Sequence, residues 1–201
     1  MAELENNRLV RVFAELRAAG RKTVLPFVTA GCPDPETTGA LLADFAARGV
    51  RVCELGIPFS DPVADGPVIQ SSYTAALERG VTVESILRTV RGFRDAASRG
   101  DGTRGVGADM ALLAMVSYSI VHRRGPERFC AEAAEAGFDG LIVPDLPLEE
   151  AASFEPLAAS AGLCNVMLIS PTTPDERRLE IARHSRGFIY CISVAGITGE
   201  R

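Results

Sequence analysis

Short apolar segments alternate with helical segments along most of this 201-residue chain, and this alternation most constrains its fold. The apolar segments are continuous rather than interrupted at every second position, which is typical of strands buried on both faces of a parallel sheet. The pattern therefore predicts a parallel sheet covered by helices. We predict strands at residues 23–28, 50–54, 110–117, 140–143, 165–169 and 187–193.

Capping residues mark the ends of several predicted helices. Asp34 is a suitable N-cap for the second helix and Gly49 a suitable stop. Thr82 opens the fourth helix, and Gly137 ends the fifth. We predict helices at residues 7–19, 35–48, 68–79, 83–97, 126–136, 148–161 and 174–184.

Two architectures fit this order of elements, a doubly wound sheet and a (β/α)8 TIM barrel. A doubly wound sheet usually has a glycine-rich nucleotide-binding turn after its first strand, and no G-x-G-x-x-G occurs there. A barrel carries its functional residues at the carboxyl ends of several strands. Polar residues collect at these ends, which favours the barrel; they are Thr29, Glu54, Asp65, Ser119, Asp145, Ser170 and Ser193.

The composition is that of a globular protein, with 47% hydrophobic and 23% charged residues. The net charge of -5 and the lack of long basic runs argue against nucleic-acid binding. No apolar run approaches the roughly 20 residues that cross a bilayer, and the N-terminus lacks a signal-peptide pattern, so we expect a cytoplasmic protein. The five cysteines and two histidines lack metal-ligand spacing, so we expect free thiols and no metal site.

The segment ELGIPFSDPVADGP, residues 54–67, follows a predicted strand and holds two carboxylates in a proline-rich loop. Glu54 lies at the end of the strand, and Asp65 lies near the end of the loop. Two carboxylates in different environments can divide acid and base chemistry between them. Spacing alone slightly favours a structural role, with Glu54 in a buried ion pair and Asp65 in a turn.

Four segments carry a resemblance to a known family. They are ELGIPFSDPVADGPVIQ (54–70), LPFVTAGCPDPETT (25–38), GLIVPDLPLEE (140–150) and YCISVAGITG (190–199). In this order and spacing they resemble the tryptophan synthase α subunit. The resemblance implies a (β/α)8 barrel that cleaves indole-3-glycerol phosphate into indole and glyceraldehyde 3-phosphate, within an α2β2 heterotetramer. It implies no cofactor for this chain, because the pyridoxal phosphate belongs to the β subunit.

The resemblance also implies roles for individual residues near the first motif. Glu54 is implied as the acid and base that acts at indole C3 and the glycerol hydroxyl, and Asp65 as the group that holds the indole N–H. Phe27 is implied as an apolar wall against the indole ring, although it equally suits a strand core. Tyr190 matches the tyrosine beside the catalytic acid; a buried tyrosine with a satisfied hydroxyl is the alternative. We also expect the apolar neighbours Val52, Leu55, Ile57 and Phe59 to raise the pKa of Glu54.

Further roles fall on later loops. Thr198 and Gly199 match the mobile loop that closes over the substrate and helps to hold its phosphate. Asp145 matches a loop residue involved in signalling between subunits, and it also suits a cap before a helix. Ser119 stands where the family usually has asparagine, which leaves fewer hydrogen bonds near the active site or the β-subunit surface.

The chain ends at Arg201, inside the loop after the sixth predicted strand, whereas a (β/α)8 barrel typically needs about 250 residues. We therefore expect one incomplete barrel domain of about six strand–helix units over residues 1–201, from either a fragment or a natural truncation. Open sheet edges predict aggregation or a molten state for such a polypeptide. Two alternatives stay open: a non-catalytic homologue that binds or modulates a β-type subunit, and a stand-alone indole lyase of secondary metabolism.

Overall fold

The computed structural model describes residues 4–62, 65–99 and 107–193, and within them six parallel strands form one curled sheet. The strands follow one another across the sheet in sequence order, and each pairs in parallel with the next. They are β1 Phe27–Thr29, β2 Val52–Gly56, β3 Ala111–Met115, β4 Gly140–Ile142, β5 Cys164–Ile169 and β6 Ile189–Cys191.

Helices separate the strands in the predicted order, with one addition. Helix α5 was not predicted, because its seven residues are too few to show helical periodicity. The helices are α1 Arg8–Ala18, α2 Pro35–Ala47, α3 Pro67–Glu78, α4 Val83–Arg99, α5 Tyr118–Arg124, α6 Pro126–Ala136, α7 Leu148–Ser160 and α8 Asp175–His184. None of the helices in the described residues is long and apolar enough to cross a membrane.

Strand β1 is shorter than predicted, and it begins and ends later in the sequence than predicted. The prediction placed it at residues 23–28, whereas the sheet begins to pair at Pro26, whose carbonyl accepts from the N–H of Glu54 at 2.9 Å. Proline has no N–H to donate to a neighbouring strand. The β-branched residues before it therefore lie outside the sheet, and Val24 is 80% exposed.

Strands β2 and β3 also differ from their predicted bounds. In both cases a residue that was predicted to be part of the strand lies instead at the end of an adjacent helix. The N–H of Val50 donates to the carbonyl of Phe45 and so belongs to the end of α2. Ser117 is the N-cap of α5, and its hydroxyl accepts from the N–H of Ser119 at 3.2 Å. Strand β2 therefore starts later than predicted, and β3 ends earlier.

The two faces of the sheet pack against different helices, because successive side chains of a strand point to opposite faces. Cys53, Leu55 and Leu112 pack in a large core with residues of α2, α4, α6 and α7. Val52 and Leu113 pack in a second core with residues of α1. Helix α1 therefore covers the inner face at the amino ends of the strands and leaves their carboxyl ends for the loops.

A buried ion-pair network joins the elements at the amino ends of β3 and β4. The Asp139 carboxylate contacts Arg8 and Arg94 at 2.9 Å each, and it accepts from the N–H of Leu112 at 2.9 Å. Burial lowers the pKa of Arg94 to about 10, and the charge of Asp139 opposes this shift. Because the network lies at the end of the strands away from the functional loops, it serves stability.

Candidate active site

Glu54 lies at the centre of the candidate site, in strand β2. It pairs in register with Phe27 of β1 and Leu113 of β3. The whole residue is 5% exposed, and burial raises its pKa from 4.5 to about 7. At neutral pH the carboxyl therefore exists in both its protonated and its ionised form.

The apolar surroundings of Glu54 differ in part from those predicted. Leu55 and Ile57 pack in the core on the outer face of the sheet, so they do not contribute to the inner surface around the carboxyl. Val52 lies on the same face as Glu54, in the core with Met115 and Tyr190. The predicted rise in pKa is confirmed, but strand alternation directs two of the expected neighbours to the opposite face.

The wall next to Glu54 depends on a glycine. Gly56 follows Glu54 by two residues and so faces the same side. A Cβ atom at Gly56 would lie 2.6 Å from the Tyr73 hydroxyl oxygen and closer still to the Phe27 ring. The missing side chain therefore lets Phe27 and Tyr73 approach the backbone at one point beside the carboxyl. Phe27 therefore lies next to Glu54 on this side of the sheet, and its contact with the indole ring stays a prediction.

Asp65 is held through its backbone by the helix that follows it. The N–H of Asp65 donates to the carbonyl of Pro62 at 3.0 Å. The side-chain amide of Gln70, in the first turn of α3, donates to the carbonyls of Asp65 at 2.8 Å and Pro62 at 3.3 Å. Burial raises the pKa of Asp65. The loop thus keeps a second, partly buried carboxyl at a defined position.

Tyr190, in strand β6, completes the cluster from a distant strand, and it packs in the same core as Val52 on the inner face of the sheet. It is half-buried, and its pKa is raised first by burial, then by the charge of Glu54 and then by that of Asp65. A tyrosine that interacts with both carboxylates lies near both of them. The structure therefore brings together Glu54, Asp65 and Tyr190, which are far apart in sequence.

Asp145 lies outside this cluster and caps a helix. Its carboxylate accepts from the Ser117 hydroxyl and from the N–H of Tyr118, both at 2.7 Å. These bonds satisfy the start of α5, whereas α7, which follows Asp145 in sequence, has no side-chain cap. Asp145 is thus a cap of a neighbouring helix, and it couples the loop after β4 to the loop after β3.

The two predicted phosphate-loop residues, Thr198 and Gly199, lie outside the described residues. Gln70 and Tyr73 were missed by the sequence reasoning. Their spacing of three places them on one side of α3, which was a usable signal, but spacing alone does not show that this side faces the site. In the described part of the chain, no group of three or more His, Cys, Asp or Glu residues is arranged to hold a metal ion.

Comparison with known proteins decides the family. The family model described as tryptophan synthase alpha chain matches residues 13–201. The chain belongs to the tryptophan synthase α chain family. The tryptophan synthase alpha chain of Prochlorococcus marinus is 46% identical over 189 residues, which cover 94% of this chain and 65% of that relative. The chain thus spans slightly less than two thirds of that relative's length.

Solved structures of this family share the fold. A structure of Mycobacterium tuberculosis tryptophan synthase aligns with a TM-score of 0.85 and 32% identity, over 98% of this chain and 72% of that chain. The tryptophan synthase α2β2 complex from Pyrococcus furiosus aligns with a TM-score of 0.76 and 36% identity, over 86% of this chain and 68% of that chain. The predicted (β/α)8 barrel class is confirmed, and the six strands form a curled part of that barrel.

Proposed function

We propose that the protein catalyses the α reaction of tryptophan synthase, the cleavage of indole-3-glycerol phosphate into indole and glyceraldehyde 3-phosphate. The observation that carries the proposal is the buried Glu54 carboxyl, whose pKa of about 7 suits both proton donation and proton acceptance. Glu54 and Asp65 both lie close enough to Tyr190 for their charges to raise the pKa of its hydroxyl. Membership of the family supports the same reaction.

The proposed chemistry divides between the two carboxyls. Protonated Glu54 donates its proton to indole C3, which leaves a cationic ring, and the Asp65 carboxylate accepts a hydrogen bond from the ring N–H and stabilises the positive charge. The ionised Glu54 then accepts the proton of the glycerol hydroxyl as the bond from C3 to the glycerol carbon breaks. The electron pair of that bond returns to the ring, and the hydroxyl carbon becomes the aldehyde of glyceraldehyde 3-phosphate.

The remaining residues are proposed to bind and to communicate. Phe27 packs against the indole ring, and Tyr190 stands beside Glu54. Thr198 and Gly199 belong to the loop that we propose closes over the substrate phosphate. Asp145 links two loops at the carboxyl ends of the strands, which suits a role in signalling to a pyridoxal-phosphate-dependent β subunit within an α2β2 assembly. This chain itself is proposed to need no cofactor and to act in the cytoplasm.

The test is indole release from indole-3-glycerol phosphate by the protein and by Glu54→Gln. Loss of the proton-transferring group lowers kcat by about 10²- to 10⁴-fold, while substrate binding is largely retained because glutamine has nearly the same shape. Glu78→Gln is the matched control, since Glu78 lies exposed at the end of α3. Equal turnover by the Glu54 variant and the unmodified protein would remove Glu54 from the mechanism.

A β-subunit binding assay on the same samples separates the lyase from a non-catalytic homologue. Indole release that depends on Glu54 supports the enzyme. Binding to the β subunit without any indole release would support the non-catalytic homologue and refute the lyase.

A further inference from the structure

We propose that Tyr73 is a substrate-binding residue, whose hydroxyl forms a hydrogen bond with the second hydroxyl of the glycerol chain. This hydroxyl does not react, and it remains on glyceraldehyde 3-phosphate after the cleavage. The inference rests on the proposed function, because it concerns the same substrate in the same site. It gives a partner to the one polar group of the substrate that the proposed chemistry leaves without one.

The Tyr73 hydroxyl lies at the inner face of the sheet, beside residues that carry the proposed chemistry. Its oxygen and the edge of the Phe27 ring both lie within 2.8 Å of the point that a Cβ atom of Gly56 would occupy. Because Gly56 follows Glu54 by two residues in β2, this point faces the same side as the Glu54 carboxyl. The hydroxyl therefore borders the space in which Phe27 and Glu54 are proposed to contact the substrate.

No described residue forms a hydrogen bond with the Tyr73 hydroxyl, although the residue is only 4% exposed. In the described part of the chain, the side-chain polar atoms that are completely buried without a partner belong to Arg91 and Asn165. The Tyr73 oxygen is not one of these atoms, so it stays accessible to a ligand. A mostly buried hydroxyl costs free energy when it has no partner, and phenylalanine would fill the same space without that cost. The free hydroxyl therefore indicates a partner that binds from the open side.

Helix α3 holds this hydroxyl at a fixed position. The helix is anchored to the carboxyl end of β1, where the hydroxyls of Thr29 and Ser72 lie 2.7 Å apart. It is also anchored to the preceding loop, because the side-chain amide of Gln70 donates to the carbonyl of Asp65 at 2.8 Å. Burial raises the pKa of Tyr73, so the hydroxyl keeps its proton at neutral pH. Tyr73 is thus a neutral, positioned hydrogen-bond donor.

The place of Gly56 along the strand favours the second hydroxyl of the substrate over the first. Glu54 is proposed to act on the first hydroxyl, which lies next to the indole ring. A barrel binds a substrate phosphate at loops beyond the carboxyl ends of its strands, so the glycerol chain runs from Glu54 in that direction. Gly56 lies about 7 Å further along the same path, because a strand rises about 3.3 Å per residue. The second hydroxyl, one carbon nearer to the phosphate, is therefore on the side of Tyr73.

The experiment compares two substrates, indole-3-glycerol phosphate and its deoxy analogue, in which hydrogen replaces the second hydroxyl. Both are cleaved by the unmodified protein and by Tyr73→Phe, which removes only the phenolic hydroxyl. We expect Tyr73→Phe to lower kcat/KM about three- to tenfold for the complete substrate and to leave it unchanged for the deoxy analogue. A change in packing alone would lower kcat/KM equally for both. Thr74→Val, which removes a hydroxyl from the exposed side of α3, is the control and should change neither value.

A second measurement does not depend on turnover. Calorimetric titration of Glu54→Gln with the two compounds gives their Kd values, and adding Tyr73→Phe to this variant should raise Kd about three- to tenfold for the complete substrate only. Equal losses for both compounds, or no loss for either, would overturn the proposal and leave Tyr73 a packing residue. Binding of the substrate by the unmodified protein without indole release would refute the proposed function alone, and the Kd comparison would still decide the role of Tyr73. Absence of binding would refute both.

Discussion

Replacement of the buried Glu54 by glutamine should change the pH dependence of stability. Burial raises the pKa of Glu54 from 4.5 in the unfolded chain to about 7 in the folded protein, at a position that is 5% exposed. Each pKa unit corresponds to about 1.4 kcal/mol. The ionised carboxylate therefore costs the folded state about 3 kcal/mol relative to the protonated form.

The direction follows from where the proton binds. Below pH 4.5 the carboxyl is protonated in both states, so the stability that it contributes is fully present. Between pH 4.5 and about 7 the folded state holds a proton that the unfolded state has lost, and stability falls as the pH rises. Glutamine is neutral throughout and escapes this loss. The free energy of unfolding of Glu54→Gln relative to the unmodified protein should therefore rise by about 3 kcal/mol from about pH 4 to about pH 8.

The assay combines urea unfolding at several pH values with carboxyl ¹³C NMR of glutamate-labelled protein. The NMR signal that is absent from Glu54→Gln should titrate near pH 7 in the native protein and near pH 4.5 in urea. Glu78→Gln, which removes an exposed carboxyl from the same chain, controls for the loss of one charge. A stability difference that is independent of pH, or a native midpoint close to 4.5, would refute the argument from burial.

Two further substitutions test the packing of the site and the opposite end of the strands. Gly56→Ala should displace the Phe27 ring and raise KM for indole-3-glycerol phosphate. Gly92→Ala is the control, because a Cβ atom at this position in helix α4 meets open space. It should leave KM unchanged and stabilise the protein by about 0.5–1 kcal/mol. An unchanged KM in Gly56→Ala would contradict the close approach at this point. Asp139→Asn should destabilise the protein by about 3–5 kcal/mol, because it leaves the buried Arg94 without its ionic partner, and thermal unfolding measures this. A melting temperature within a degree or so of the unmodified protein's would rule out this network as a stabilising feature.

Part of the candidate site follows from local sequence. Glu54 lies at the end of an apolar strand and Asp145 just beyond another, where a barrel carries its functional groups. Their position was predictable from the strand pattern, whereas their roles were implied by the resemblance to the family. The partner of Asp145 was not predictable in this way. Its carboxylate caps α5 rather than the helix that follows it, because the loops after two neighbouring strands meet at the same end of the sheet.

The order of strands and helices, most helix ends and the family could all be predicted from the sequence, because periodicity, capping residues and motifs act over a few neighbouring positions. The contacts between distant segments required the folded chain: Glu54 pairs in register with Phe27, and the Phe27 and Tyr73 side chains meet at Gly56. These contacts depend on strand register and on the face that α3 presents to the sheet. The pKa values of Glu54 and Asp65 are raised because the two carboxyls are buried. Residues that are distant in sequence surround them only when the sheet curls.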